Sequence, residues 1–199
     1  MARSLASLRS ATLPALALLA TLATAPTSTA HAGGLSAGAP HRMRLGLETG
    51  VGAVLGDSAG AAFQLDLQLG YQAGDLFAIY YQTALMAEGW ASNNTSVGGF
   101  VFFPQLAMVD FTLGRFFQLG AGGGVDIGQF ATCDATGAVC STSSRQTNPA
   151  IAARLALIIP LPGARARWGI PIAVQFHESF LSNSQKIHSL VLTVGFLRF

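Results

Sequence analysis

From Phe63 to Gln72 the chain alternates without a fault. Phe63, Leu65, Leu67, Leu69 and Tyr71 fall on one side of an extended strand, and Gln64, Asp66, Gln68, Gly70 and Gln72 on the other. A two-residue period sends successive side chains to opposite faces of a sheet, so this segment separates an apolar face from a polar one. The same period returns in seven further segments, about 42–55, 76–86, 98–112, 116–130, 150–160, 168–180 and 186–199. In the first of these, Met43, Leu45, Leu47, Val51 and Leu55 oppose Arg44, Gly46, Glu48, Gly50 and Gly52. The second and fourth connections, 73–75 and the one after Thr112, are tight turns and alternate with outward connections that include the longer polar loops at 88–96 and 131–148. Segment 98–112 is the irregular one. Phe100, Phe102 and Phe103 interrupt its alternation, which predicts a bulge there. Pro104 and Pro171 fall inside strands, where each removes a ladder donor, and they read as bulges or strand ends.

Hydropathy decides which way the apolar faces point. The mean hydropathy is +0.47, high for a soluble domain. Yet beyond the N-terminal stretch there is no run of 18 or more apolar residues that would make a spanning helix. Residues 1–32 carry Arg3 and Arg9, then the apolar run Leu13–Ala25, then Ala30-His31-Ala32, the layout of a cleavable secretory signal peptide. The chain has 11 Lys+Arg and 9 Asp+Glu. Without Arg3 and Arg9 the remainder is nine against nine, which offers no basic patch for nucleic acid. The polar faces hold Gly and Gln with isolated charges rather than the Lys and Glu of a solvated exterior, which suits a narrow lumen. Strands of 9–11 residues suffice to cross a bilayer when tilted. The expectation for residues 33–199 is therefore all-β, an eight-stranded antiparallel up-and-down transmembrane β-barrel with its apolar faces in lipid.

The last segment ends on Phe199, and every second residue back from it gives Leu197, Gly195, Thr193 and Val191. This ending resembles the C-terminal signature of bacterial outer-membrane β-barrel proteins, an apolar strand with a terminal aromatic read by the barrel-assembly machinery. With the leader and the strand count, the chain is similar to small outer-membrane barrels of the OmpA-transmembrane and OmpX kind. The resemblance implies the bacterial outer membrane as location, a monomer, and contact with outer-membrane lipids and lipopolysaccharide. It implies no cofactor and no particular chemistry. Function then reads as structural or as surface contact through the outer loops, with the extracellular partner unspecified. Tyr71, Phe77, Phe111, Phe117, Trp168 and Phe199 form the expected inner aromatic girdle, with Trp90, Phe130 and Phe176 near the outer one.

Four charged residues, Glu48, Asp66, Asp126 and Arg154, project into that lumen by parity. An eight-stranded barrel has room for little beyond side chains, so these charges need partners, and Asp126 with Arg154 on neighbouring strands is the expected pair. A filled lumen is the first reading and a narrow pore past the glycines the alternative. Cys133 and Cys140 sit in the longest outer loop and predict a disulfide in an oxidising compartment. Two cysteines alone, with no histidine nearby, do not make a structural zinc site. One pair carries a sharper possibility, His177 and Ser179, which share one face of a strand. Their spacing resembles the His-x-Ser pair of the barrel enzymes that deacylate lipid A. Those enzymes also need a carboxylate after the pair; residues 180–199 hold no Asp or Glu, so Glu48 would have to be recruited. His188 is placed near His177 across the last hairpin, a candidate for metal binding or pH sensing.

Overall fold

The computed structural model describes residues 42–55, 60–74, 76–92, 96–114, 116–134, 140–161, 168–181 and 185–198. The leader, most of the Asp57 turn and Phe199 lie outside them. The described chain is all β: β1 (Arg42–Leu55), β2 (Gly60–Ala73), β3 (Phe77–Ser92), β4 (Ser96–Leu113), β5 (Phe117–Asp134), β6 (Cys140–Thr142), β7 (Gln146–Pro160), β8 (Trp168–Phe180) and β9 (Lys186–Arg198). All pairings are antiparallel, the sheet runs in chain order, and it closes through β1 on β9. β6 is a three-residue piece that pairs only with the end of β5, so the closed wall has eight long strands. Closure follows from the solvent: hydrocarbon offers no partner to an edge strand's amides. At the end opposite the long connections, Gly74 and Gly114 turn the chain with φ of 67° and 62°, a conformation costly for any residue with a Cβ.

Burial follows the two-residue period. Met43, Leu47, Phe63, Leu65, Leu67 and Leu69 are exposed on the outer wall while Arg44, Glu48, Gln64, Asp66 and Gln68 are buried within. The barrel is thus inverted relative to a soluble one, with a continuous apolar exterior around a polar interior. Tyr71, Phe111 and Phe117 are exposed at the tight-turn end, and Phe77, half-buried, lies 5.3 Å from Phe111 between ring centroids. Trp168 is half-buried at the same end.

Several expectations are corrected. β4 has no bulge: it keeps one register with β5 from Ser96↔Asp134 to Leu113↔Phe117. Phe100 and Phe102 face inward while Val101 and Phe103 face outward, so the alternation persists under an interior that is itself apolar at that level. Pro104 instead costs a step of the ladder. Pairing of β3 with β4 stops at Thr83↔Gln105 and resumes at Met86↔Phe102. Beside that gap, on the lipid face, Gln105 Nε2 donates to Thr83 Oγ1 at 2.9 Å and Tyr81 Oη donates to Gln105 Oε1. Pro171 opens a similar gap, with β8–β9 pairing absent between Gly169↔Leu197 and Ile172↔Val194.

In β9 the set counted back from the terminus is the inner face. Val191, Thr193 and Leu197 are buried, whereas Leu190, Leu192, Val194 and Phe196 are exposed to lipid. Both faces of this strand are almost wholly apolar, so period alone does not say which one meets lipid. Trp90 and Phe130 leave the outer girdle and pack inward against the buried cluster around Phe100 and Phe102. Residues 131–148 are not one loop, because β5 continues to Asp134, β6 pairs back on it, and β7 begins at Gln146.

If the exterior is solvated by lipid, Leu67→Arg should lower the unfolding free energy in vesicles by about 2–4 kcal/mol, the cost of an arginine near the bilayer midplane. Equilibrium refolding into lipid vesicles under urea measures it; a loss near zero would mean that the face is not in hydrocarbon.

Candidate functional site: the packed lumen

Inward-facing polar residues assemble into two clusters. The first is ionic and draws on seven strands, β5 through Gln118, which accepts from Arg154 Nη1 at 3.4 Å. Arg44 Nη2 donates to Asp110 Oδ2 at 2.7 Å and to Gln68 Oε1 at 3.0 Å, and its guanidinium lies 4.2 Å over the Tyr80 ring. Tyr80 Oη donates to the other Asp110 oxygen at 2.9 Å. Arg154 Nη2 donates to Glu48 Oε1 in a close ion pair, and its Nη1 stands 3.6 Å from Asp110 Oδ2. Glu48 also accepts from Gln68 Nε2 at 2.8 Å and from Thr193 Oγ1 at 2.7 Å. Asp66 accepts from Gln64 Nε2 at 2.9 Å. A methyl group on Gly120 would lie 2.0 Å from Asp110 Oδ1, so the glycine makes the room in which Asp110 sits.

The second cluster lies toward the long-loop end. Ser179 Oγ donates to Asp126 Oδ2, and His177 Nε2 meets the same oxygen at 2.9 Å. Ser179 Oγ and His177 Nε2 are 3.4 Å apart, and all three side chains are buried. Between the clusters Gln82 Nε2 donates across the lumen to Gln175 Oε1 at 3.1 Å. Above the second cluster Phe100 stacks on Phe102 and on Phe130, with centroids 4.4 and 4.1 Å apart. Val54, Met86 and Val191 fill the space around them.

Glu48, Asp66, Asp126 and Arg154 all stand inside, but Asp126 and Arg154 are not a pair. In the β5–β7 register Asp126 faces Asn148 and Arg154 faces Gly120, six residues lower (120 to 126). That is roughly 20 Å along a strand. The carboxylate that joins His177 and Ser179 is Asp126, and Glu48 belongs to the ionic cluster. His177 and His188 point to opposite faces: His177 is register partner to Ser189, while His188 stands outside, 3.5 Å from Glu178, whose other oxygen is 2.9 Å from Lys186. Cys133 and Cys140 are register partners across β5 and β6, and no described cysteine is free. Among the described residues no three His, Cys, Asp or Glu side chains converge as metal ligands.

Arg44, Tyr80, Glu88 and Asp110 are the interior residues that charge reading passed over. Asp110 was legible in principle, since Val109 and Phe111 flank it as outward residues. The run of phenylalanines upstream hid the parity of β4.

Chemically the second cluster differs from a hydrolytic triad. The serine hydroxyl donates to the carboxylate rather than to the imidazole. In a hydrolytic triad the serine would instead be hydrogen-bonded to the imidazole that accepts its proton. The ionic cluster binds walls that are not neighbours in the sheet. Arg154→Met should therefore cost about 3–5 kcal/mol, because Glu48 and Asp110 lose a buried cation. Arg154→Met with Glu48→Gln should recover part of that loss in a double-mutant cycle read by denaturant unfolding, and strict additivity would mean that the pair is uncoupled.

No family model matches the sequence, and no curated protein matches it either. Solved structures do resemble it in fold. The attachment invasion locus protein Ail of Yersinia pestis, crystallised with the heparin analogue sucrose octasulfate, superposes with a TM-score of 0.53 at 16% identity, over 78% of this chain and 99% of that one. A second crystal structure of Ail gives 0.54 at 15% identity, with the same coverage. Neisserial surface protein A gives 0.53 at 8% identity, over 80% of this chain and 98% of that one. At these identities the likeness concerns the fold, that of a small outer-membrane β-barrel.

Proposed function

We propose that this outer-membrane-type barrel is a rigid membrane anchor that presents one tall wall for contact outside the cell, without catalysis and without a conducting lumen. The observation that carries this reading is the uneven rim. β3, β4 and β5 run for 16, 18 and 18 residues, against 13 in β8 and in β9. β5 rises far enough to pair with β6 through Ala131↔Thr142, Thr132↔Ser141 and Cys133↔Cys140. β7 meets β8 only from Ala150, so the arm from Cys140 to Pro149 stands above its neighbour on that side. Its exposed residues are polar, Ser141, Thr142, Ser144 and Arg145 among them, and Thr132 and Ser141 hydroxyls join at 2.9 Å. A disulfide between Cys133 and Cys140 would close the tip and keep it preformed. A preordered surface binds with less loss of conformational entropy than a loose loop does. Ail, whose fold is similar, was crystallised with a sulfated ligand; an anionic saccharide is one class of partner to try here.

Two experiments bear on this. Cells displaying the full protein should adhere to immobilised sulfated glycan or host matrix more than cells carrying Cys133→Ser/Cys140→Ser, with equal amounts of barrel at the surface. Equal adhesion would remove the tip from the reading. In planar bilayers the purified barrel should show no steady single-channel openings, and regular conductance steps would overturn the filled lumen.

The second reading is a hydrolase with Ser179 as nucleophile. What favours it is the meeting of Asp126, His177 and Ser179 from two strands that are not neighbours. Against it stand the burial of all three inside the wall and the hydrogen-bond order just described. Mass spectrometry of lipid A from cells with the native protein, with Ser179→Ala and with neither should give one acylation pattern. A missing acyl chain that depends on Ser179 would establish the enzyme.

A further inference from the structure

At the end opposite the long connections the wall stays apolar down into the turns. Leu76, Leu113, Phe116 and Leu161 lie in or beside those connections, and each is 37–56% exposed. Backbone hydrogen bonds fix them there. Leu76 O accepts from Thr112 N at 2.7 Å, Phe116 O accepts from Ile158 N at 2.6 Å, and Leu161 N donates to Trp168 O at 2.9 Å. Apolar side chains of this size are costly in water, and a contiguous apolar surface marks an interaction site. Tyr71, Phe111 and Phe117, exposed just above, join these residues to the lipid-facing wall. The occupant is therefore the same bilayer, met at the level of its headgroups.

The charge at this end is almost wholly of one sign. Arg198 is exposed on the outer face of β9, as register partner of Trp168 on β8 and of Leu45 on β1. Register partners share a face, so a guanidinium and an indole stand side by side at the rim. Arg198 has no carboxylate partner among the described residues, whereas Lys186 at the other rim is paired with Glu178. The sequence extends the asymmetry. Beyond the leader, Arg42, Arg115, Arg165, Arg167 and Arg198 belong to this end of the chain's strands and connections, against the single acid Asp75. Arg115, Arg165, Arg167 and Asp75 lie outside the described residues and count here as sequence charge only. The other four cations share the interior and the long-loop end with eight acids. Interfacial aromatic residues anchor at headgroup depth, and cations beside an apolar edge are drawn to anionic lipid. A zwitterionic headgroup offers the same apolar contact but no net charge to meet an unpaired arginine. We propose that this rim is a binding surface for anionic phospholipid headgroups, centred on Arg198 and Trp168. It is opposite the tall wall and owes nothing to what that wall contacts.

Trp168 can report on its own lipid neighbours. The chain has two tryptophans, and Trp90 packs against the buried cluster at the other end. The full mature barrel is refolded into phosphatidylcholine vesicles that contain a minor fraction of brominated phosphatidylglycerol or, in a parallel set, of brominated phosphatidylcholine. Bromine quenches an indole only at close range, so the two quenching curves give the relative affinity of the lipids at this rim. At low salt phosphatidylglycerol should be preferred by about fivefold, the factor that one cation near an anionic surface supplies. Added salt should shrink that preference. Arg198→Gln should remove most of it, whereas Lys186→Gln at the far rim should leave it intact. Trp90→Phe, with Trp168 as the sole indole, should give the native ratio. Equal quenching by the two lipids overturns the proposal, and so does a preference that survives Arg198→Gln. Should the variants not refold, the native protein decides through salt: a preference that high salt leaves unchanged is not ionic and refutes the site.

Discussion

A strand lying in hydrocarbon has no water to satisfy its amides, and the closure of β1 on β9 meets that requirement for the whole wall at once. Nearly everything else in the molecule is a consequence. Closure with eight long strands leaves a bore about as wide as the side chains that fill it, so much of what faces inward is buried. Lipid outside makes that core the place for polar groups. The chain then has to solve, inside a cylinder of side chains, a problem that soluble proteins mostly avoid: burying several charges together. Gly120 shows the solution at atomic scale, since the absence of its side chain is what admits Asp110.

The ionic cluster does more than neutralise itself. Ladder bonds join each strand only to its neighbours, whereas Arg154 on β7 reaches Glu48 on β1, and Arg44 on β1 reaches Asp110 on β4. These pairs brace opposite walls, and the Gln82–Gln175 bond repeats the pattern across β3 and β8. Braces of this kind matter most where the ladder is incomplete. Pro104 and Pro171 each remove a step, and at Pro104 the Tyr81–Gln105–Thr83 bonds lie on the lipid side of the gap. A barrel stiffened from within is a suitable base for β3, β4 and β5, which outrun β8 and β9 in length.

The architecture was legible in the sequence because alternation in β2 and in most of β1 and β5 is nearly free of exceptions, and because period and strand count do not depend on register. Partnerships inside the lumen do depend on it. Asp126 and Arg154 looked like neighbours because their strands are, yet the register sets them six residues apart. β4 and β9 misled for a different reason. At Phe100 and Phe102, and again at Val191 and Leu197, the interior is filled by apolar side chains, so both faces of the strand read alike. Where the lumen is polar the sequence announces its inside, and where the lumen is apolar it does not. Glu88 lay hidden in a segment read as a polar loop, because Trp90 and the residues after it suggested a connection rather than a continuing strand.

The same dependence on register governs what His177 and Ser179 can do. On a strand, two residues separated by one share a face, and that face is either lipid or lumen with nothing between. Shifted outward by one position, the pair would meet acyl chains, with Glu178 taking the interior instead. In the observed register it meets Asp126, Phe102 and the polar centre of the barrel, and Glu178 takes the outside with Lys186 and His188. The residue types are those of a hydrolase; the side of the wall on which they stand makes them interior polar groups. Asp126 then serves as the hub on which a buried histidine and a buried serine converge, and register, more than spacing, brings the three together.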